Sequence, residues 1–278
     1  MSYLRRMIPG SIKKSLRNMY YSLIDILDRL MKRDSLIPPR AMIFVGDGDF
    51  EKTGQQFLQH FVELAGLRPD DRILDVGCGI GRMAIPLTGY LSPRGEYWGF
   101  DIVKMGIHWC QRHISTKFKN FHFLHVDIYN RTYNPSGKIQ ARDFKFPYEP
   151  NYFDFVFLTS VFTHMLPADM ENYLLEIARV LKPEGKYLIT FFLLNEESER
   201  LMRAGQSSLD FRYKLNGCRT IDLNNPEAAI AYDEGEIKDM FKRSGLGLPE
   251  PVRYGAWCKR DDFLSYQDII IGKKQGIS

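Results

Sequence analysis

Glycine and aspartate residues between positions 72 and 82 form the first group that could do chemistry. The segment RILDVGCGIGR begins as an apolar run, typical of a buried strand, and then alternates glycines with other residues. Gly77, Gly79 and Gly81 predict a tight turn in which a ligand approaches the backbone closely. Asp75 stands just before this turn. Its carboxylate would repel a pyrophosphate but would suit a ligand that carries an ammonium group.

A dinucleotide is the main alternative ligand for a glycine-rich turn of this kind. Its fingerprint, G-x-G-x-x-G, needs a third glycine for close packing of helix on strand. Counted from Gly77, that position is Arg82, and the observed pattern is D-x-G-x-G-x-G. The spacing therefore argues against a dinucleotide, whereas a tight turn without a ligand stays open as an explanation of the glycines.

Two further aspartates end predicted strands. Asp101, in GFDI, lies twenty residues after Gly81, and Asp127, in HVDIYN, ends the next strand. Each has an alternative role as a turn or helix-cap residue. Because the carboxyl ends of parallel strands meet at one sheet edge, Asp75, Asp101 and Asp127 together fit a nucleoside joined to an amino acid.

Strands and helices alternate from residue 51 onward. The predicted elements, in order, are a helix at 51–67, strand RILDVG, helix GRMAIPLTGYL, strand EYWGFDI, helix KMGIHWCQRHI, strands FHFLHVDI and FDFVFLTSV, helix ADMENYLLEIARVL, strand GKYLITFFLL, a helix at 233–246, and strands VRYGAWC and YQDIIIG. This order predicts an α/β fold with a seven-stranded, mostly parallel sheet covered on both faces. The last two strands have no helix between them, so they are predicted to form an antiparallel hairpin at one edge.

Charge and composition divide the chain into an appendage and a main domain. Residues 1–33 hold eight Lys or Arg and two Asp, a net +6, although the whole chain carries only +4. We expect residues 1–40 to be a basic amphipathic helix with a linker, and residues 41–278 to be the main domain. The segments 129–150 and 195–232 break the alternation and are predicted to be functional insertions.

The basic helix at residues 11–33 has two interpretations. It either docks on the main domain or lies on an anionic membrane surface. Four cysteines without a CxxC pair are typical of a cytosolic protein with reduced thiols. We therefore expect a cytoplasmic protein, with peripheral membrane contact through this helix as the alternative. The oligomeric state stays open.

Five segments of the sequence resemble class I S-adenosylmethionine-dependent methyltransferases. They lie within about 51–192 and are LDVGCGIGR, FDI, VDI, FPYEPNYFDFVFLTSVFTHM and EIARVLKPEGKYLITFF. The resemblance implies a Rossmann-like fold, S-adenosyl-L-methionine as the cofactor and S-adenosyl-L-homocysteine as the product. Carried over by position, it implies a cofactor site formed by Asp75, Gly77, Cys78, Gly79, Gly81, Asp101, Ile102, Asp127, Ile128 and Thr159.

The resemblance also implies a role for several of these residues. Asp75 and the backbone of 77–81 would hold the methionine part, Asp101 the ribose and Asp127 the adenine. Ile102 and Ile128 would form the apolar walls of the site.

His164, in LTSVFTHMLPADM, is the candidate catalytic residue. It follows the fourth predicted strand, at the sheet edge where methyl transfer is expected. A hydroxyl acceptor must lose its proton, and a histidine is suited to take it as a general base. The alternative is a histidine that is hydrogen-bonded to local backbone and only shapes the pocket.

The residues directly after the fourth strand bear on the class of acceptor. The Asn/Asp-Pro-Pro-Tyr/Phe turn of amino-directed nucleic-acid methyltransferases is replaced by TSVF, which argues against methylation of a nucleic-acid amino group. We expect that nucleic acid is not the acceptor. Catechol-type enzymes place a magnesium-binding aspartate where this chain has Thr159 and Ser160, so we predict no metal.

Three further stretches resemble bacterial methyltransferases with glycan functions: YNPSGKIQARDFKFPY, SVFTHM and SYQDIIIGKK. This resemblance implies O-methylation of a sugar or a related small metabolite. A macromolecular acceptor (RNA or protein) and a lipid or quinone at a membrane surface are the alternatives. A protein that binds the cofactor without catalysis is a third hypothesis.

Overall fold

The computed structural model describes residues 36–46, 48–247 and 251–275. Its helices and strands are α1 (Phe50–Glu63), β1 (Arg72–Val76), α2 (Ala84–Leu87), β2 (Glu96–Asp101), α3 (Lys104–Cys110), β3 (Phe121–His125), β4 (Phe153–Leu158), α4 (Pro167–Val180), β5 (Leu181–Phe191), β6 (Leu193–Leu194), α5 (Glu196–Arg203), β7 (Tyr213–Leu215), β8 (Cys218–Thr220), β9 (Ile230–Asp233), α6 (Glu234–Ser244) and β10 (Asp268–Lys273). The predicted helix at 11–33 lies outside the described residues, as does most of the appendage at 1–40.

The main sheet has six strands in the order β10-β5-β4-β1-β2-β3. The strands from β1 to β5 pair in parallel, and β10 pairs antiparallel with β5 at one edge. Alternate residues of β1 enter different hydrophobic clusters: Leu74 lies in one and Ile73 in another. The Rossmann-like α/β fold is confirmed, with six strands in this sheet rather than seven.

The missing strand is the predicted strand VRYGAWC. In this segment the structure has only two isolated bridges, Arg253 with Ile269 and Gly255 with Ser265, followed by a 3-10 turn over Ala256–Cys258. The side chain of Asp268 accepts hydrogen bonds from the Gly255 backbone N–H at 2.7 Å and from Trp257 Nε1 at 2.8 Å. Because a carboxylate takes an N–H group that a strand ladder would need, the segment forms no continuous strand.

The insertion at 195–232 is more regular than expected. It contains α5, and its short strands β7 and β8 join β6 and β9 in a second sheet of order β6-β9-β8-β7. A capping box begins α5: Asn195 Oδ1 accepts from the Ser198 N–H, and Ser198 Oγ accepts from the Asn195 N–H. The other insertion, at 129–150, has only isolated bridges and a 3-10 turn over Ala141–Asp143.

Candidate functional site

A cavity of about 950 Å³ opens at the carboxyl ends of β1, β2 and β4. Its volume is near the upper end of the range for small-molecule sites. Most of the predicted site residues line it, namely Asp75, Gly77, Cys78, Gly79, Asp101, Ile102, Ile128, Thr159 and His164. The parallel topology brings them together because these strands all end at the same sheet edge.

The glycine turn after β1 is held against β2. The backbone N–H groups of Gly77 and Cys78 both donate to the Phe100 carbonyl, at 2.9 and 3.1 Å. Gly77 has φ +83°, and a Cβ there would lie 2.5 Å from Val161 Cγ2. Gly81 does not line the cavity, and a Cβ there would meet Cys110 Sγ at 3.0 Å. Gly77 therefore shapes the cavity, and Gly81 permits close packing on α3.

Asp101 connects the glycine turn to the end of β2. Its Oδ2 accepts from the Gly79 backbone N–H at 2.8 Å, and its Oδ1 accepts from the Val103 N–H at 2.7 Å. Burial raises the pKa of this carboxyl group above its ordinary value. Each carboxylate oxygen has a further lone pair, so Asp101 can still accept hydrogen bonds from the two hydroxyls of a ribose.

Asp75 is buried, and only one of its two carboxyl oxygens has a hydrogen-bond partner among the described residues. The Tyr97 hydroxyl donates to Oδ2 at 2.6 Å, whereas Oδ1 has no partner among the described residues. Burial raises the pKa of Asp75 to about 8. A buried carboxyl oxygen without a partner is costly, so its position at the cavity fits a ligand that supplies a donor or a cation.

Arg82 is a cavity residue whose role the sequence did not reveal. Its Nη1 donates to the Val45 carbonyl at 3.0 Å, and its buried Nε has no partner among the described residues. Burial lowers the pKa of Arg82, and the charge of Asp75 opposes this shift. Asp75 and Arg82 therefore suit the ammonium and the carboxylate of an amino acid. The available signal was the arginine directly after the last glycine of the turn.

Asp127, like Gly81, is a predicted site residue that does not line the cavity. Its carboxylate accepts from Asn134 Nδ2 at 3.3 Å, and its backbone carbonyl accepts from the N–H groups of Lys138 and Ile139. These contacts hold it against the insertion at 129–150. The neighbouring Ile128 does line the cavity, so the end of β3 contributes an apolar wall there.

His164 lines the cavity from a 3-10 turn over Phe162–His164, which follows β4. Its Nδ1 lies 2.8 Å from the backbone oxygen of Glu227. A carbonyl can only accept, so Nδ1 carries the proton and Nε2 keeps a lone pair. Burial lowers the pKa of His164 and so favours the neutral ring. The ring of Tyr133 packs against this ring in a T-shaped arrangement, with 5.8 Å between the centroids.

Metal clusters and membrane-spanning helices are both absent from the part of the chain that the structure describes. These residues contain no group of three or more His, Cys, Asp or Glu side chains placed to hold a metal ion. Within the same ranges, no helix is both long enough and apolar enough to cross a bilayer.

Comparison with known families decides which kind of domain this cavity belongs to. Residues 74–189, from β1 into β5, match the family model of a methyltransferase domain. Residues 74–189 therefore form a methyltransferase domain, as the resemblance to class I S-adenosylmethionine-dependent methyltransferases predicts. The resemblance to class I S-adenosylmethionine-dependent methyltransferases and the predicted cofactor are thereby confirmed, and the glycine turn belongs to the matched segment. The resemblance to methyltransferases with glycan functions stays a prediction.

Known methyltransferases resemble this chain over part of its length. It is 25% identical over 199 residues to the tRNA N(3)-cytidine methyltransferase of Gallus gallus, covering 70% of this chain and 48% of that protein. It is 24% identical over 199 residues to the ubiquinone/menaquinone biosynthesis C-methyltransferase UbiE of Shewanella putrefaciens, covering 68% and 71%. It is 33% identical over 119 residues to the fatty-acid O-methyltransferase of Mycolicibacterium smegmatis, covering 43% and 36%. The chain thus spans about half of the chicken protein. The expectation that nucleic acid is not the acceptor gains no support from this set.

Solved structures support the fold of the methyltransferase domain. A protein from Pyrococcus horikoshii OT3 superposes with a TM-score of 0.57 at 17% identity, covering 84% of this chain and 95% of that one. The YcgJ protein of Bacillus subtilis gives a TM-score of 0.51 at 17% identity, covering 80% and 100%. At these identities the likeness concerns the fold alone.

Proposed function

We propose that this chain transfers a methyl group from S-adenosylmethionine to a hydroxyl of a sugar or a related small metabolite, without a metal. The observation that carries the proposal is the state of His164 in the cavity. Its Nδ1 N–H donates to the backbone carbonyl of Glu227, and burial favours the neutral ring. Its Nε2 is therefore available as a base. A neutral imidazole facing a substrate cavity is suited to remove the proton of a hydroxyl.

The cofactor would supply an electrophilic methyl group on a sulfonium. Asp75 and Arg82 would hold its amino-acid end, and Asp101 the ribose. Ile102 and Ile128 would form apolar walls around the adenine ring of the cofactor. The unused oxygen of Asp75 and the unused Nε of Arg82 fit this assignment because both atoms are buried and unpartnered among the described residues.

Catalysis then rests on alignment and proton removal. Holding the hydroxyl in line with the methyl–sulfur bond replaces a bimolecular encounter by a positioned one. His164 Nε2 would take the proton of the acceptor hydroxyl, while the bound cofactor would supply the methyl group and keep the electron pair of the carbon–sulfur bond as S-adenosylhomocysteine. The Glu227 carbonyl keeps Nδ1 protonated, and its dipole stabilises the imidazolium that forms.

The lining beyond the cofactor residues supports a polyhydroxylated acceptor. It combines aromatic side chains, which can cover the apolar face of a sugar ring, with polar side chains that can bond hydroxyls. The aromatic residues include Tyr129, Tyr133, Tyr173 and Tyr266, and the polar ones include Asn130, Gln140, Asp169 and Glu227. Both insertions contribute to this set, which supports their predicted role on the acceptor side of a domain over 41–278.

Methylation of a quinone or lipid is the second candidate. The apolar residues Phe192, Leu209 and Ile221 also line the cavity. This candidate would give residues 11–33 a role in peripheral contact with a membrane, in an otherwise cytoplasmic protein. It also fits the quinone-modifying and fatty-acid-modifying relatives better than a sugar does.

An untargeted screen separates these candidates. The purified full chain is incubated with methyl-labelled S-adenosylmethionine and an extract of the native host, and labelled products are identified by mass spectrometry. We expect a methyl ether on a sugar or small metabolite, and loss of labelling with His164→Ala. Labelled RNA, labelled protein or a carbon-methylated quinone would contradict the proposed acceptor.

A further inference from the structure

The side chain of Gln267 is held at the cavity by two hydroxyl groups. Its Oε1 lies 2.7 Å from Thr190 Oγ1 and 3.0 Å from Ser160 Oγ. Gln267 directly precedes β10, Thr190 lies near the end of β5, and Ser160 follows β4. Three chain segments therefore meet at one amide, and both Ser160 and Gln267 line the cavity.

The hydrogen bonds determine which way the amide points. Thr190 Oγ1 already accepts from the Ser160 backbone N–H at 2.8 Å, so its own proton is free to donate to Gln267. The reversed amide would place Nε2 against Thr190 and leave that buried hydroxyl proton without an acceptor. The carbonyl oxygen of Gln267 therefore faces the hydroxyls. Its Nε2, with two N–H donors, has no hydrogen-bond partner among the described residues.

Backbone strain at Ser160 is an independent sign of a built arrangement. Ser160 has φ +60°, in the left-handed region that few residues other than glycine occupy. Such a conformation costs free energy and persists only where the surrounding structure fixes it. Here it presents both the N–H of Ser160 to Thr190 and its hydroxyl to Gln267, at the end of β4.

We infer that Gln267 binds the methyl acceptor and selects it, by donating from Nε2 to one of its oxygen atoms. The inference rests on the proposed function, because it assumes that an oxygen-bearing acceptor occupies this cavity. Two amide donors in the same cavity as the base at His164 suit an acceptor with several oxygens: one loses its proton to His164 and another accepts from Gln267. An acceptor without this second oxygen would leave the amide unpaired and bind less well.

Two substitutions separate the donors of Gln267 from its structural contacts. Gln267→Glu keeps an oxygen for the hydroxyls of Ser160 and Thr190 but removes both donors facing the cavity. Gln267→Met removes all of these hydrogen bonds at similar volume. Gln206→Glu is the matched control, because Gln206 is exposed and outside the cavity lining.

The test uses the full chain and the acceptor found in the labelling screen, together with its analogues that each lack one oxygen. We expect Gln267→Glu to lower kcat/KM about tenfold or more, while calorimetric binding of S-adenosylhomocysteine and the melting temperature stay unchanged. For the analogue that lacks the oxygen bound by Gln267, the wild type and Gln267→Glu should have equal kcat/KM, because neither can form that hydrogen bond. Gln206→Glu should match wild type throughout.

Each outcome bears on a different part of the proposal. If the wild type methylates the acceptor and both Gln267 variants have the same kcat/KM as the wild type, this inference is overturned and the proposed function stands. The inference is also overturned if every deoxygenated analogue shows the full loss on substitution. A wild type that binds S-adenosylhomocysteine but methylates nothing in the screen would overturn both.

Discussion

The Nδ1 atom of His164 lies 2.8 Å from the backbone oxygen of Glu227, 63 residues further along the chain. This contact joins the turn after β4 to the insertion at 195–232. The carboxylate of Glu227 in turn accepts from the Arg131 backbone N–H at 2.8 Å, in the other insertion. One residue therefore orients the candidate base and links the two insertions beside it.

The first prediction concerns His164 as the base. His164→Ala should lower kcat by about 10²- to 10⁴-fold with little change in the affinity for S-adenosylhomocysteine. Because burial lowers the pKa of His164, its neutral form persists below its ordinary value of 6.5, and the acid limb of the kcat profile should lie below that pH. His108→Ala, at an exposed position outside the cavity, is the control. An acid limb above pH 6.5 would contradict the assignment.

The second prediction concerns the link through Glu227. Glu227→Gln keeps an oxygen for the Arg131 N–H and should stay within a few-fold of wild-type kcat. Glu227→Ala removes that acceptor, so it should loosen the turn and lower kcat by about tenfold, equivalent to a bond of about 1.4 kcal/mol. Faster hydrogen exchange at the Arg131 amide in the alanine variant would show the loosening. Equal kcat and equal exchange in both variants would speak against the link.

The third prediction uses the pKa of Asp75. Its folded-state pKa of about 8 means that the carboxyl group is mainly protonated at pH 7 in the free protein. Binding the ammonium of the cofactor favours the carboxylate, so binding at pH 7 should release nearly one proton. Affinity for S-adenosylhomocysteine should therefore rise with pH up to about 8.

Calorimetry in buffers of different ionisation enthalpy measures this proton release. Asp75→Asn should release almost none, and the exposed control Asp262→Asn should behave as wild type. The stability of the free protein should depend on pH in the opposite direction to the binding affinity. The raised pKa means that the folded state holds a proton that the unfolded state has lost, so this group's contribution to stability falls as pH rises toward 8. Proton uptake, instead of release, when S-adenosylhomocysteine binds would refute the assignment of Asp75 to the ammonium group.

The fourth prediction pairs Arg82 with the carboxylate of the cofactor. Arg82→Met should weaken binding of S-adenosylhomocysteine by about 10- to 100-fold, as expected for a charge-assisted hydrogen bond. Arg82→Met should weaken much less the binding of an S-adenosylhomocysteine analogue that lacks the carboxyl group. The exposed Arg112→Met is the control. An equal loss for both ligands would mean that Arg82 acts on the fold of the turn rather than on the carboxylate.

The fifth prediction tests the anchor that replaces the missing strand. Asp268 is fully buried, and besides Gly255 and Trp257 it accepts from the Leu193 N–H at 2.7 Å and from Arg260 at 3.3 Å. Asp268→Ala should lower the free energy of unfolding by about 3–5 kcal/mol, because several buried donors lose their acceptor. Urea denaturation measures the change, with the exposed Asp262→Ala as the control. A loss below about 1 kcal/mol would show that water replaces the carboxylate.

Much of the methyltransferase domain follows from local sequence. The apolar runs of β1, β2, β4 and β5 predicted buried parallel strands, because strands covered on both faces carry little polar surface. The glycine turn was also readable, since its backbone conformations need glycine. Asp75 and Asp101 could be placed at the site because parallel strands end at a common edge.

Contacts between distant segments were decided only by the tertiary structure. Asp127 has the same strand-end position as Asp101, but Asn134 in the following insertion takes its carboxylate. VRYGAWC has the residue pattern of a strand, yet the Gly255 backbone N–H donates to the side chain of Asp268. The partners of His164 and Gln267 lie 63 to 107 residues away. Periodicity and spacing report how a segment buries its own side chains, whereas hydrogen-bond partners across such distances depend on how the segments pack.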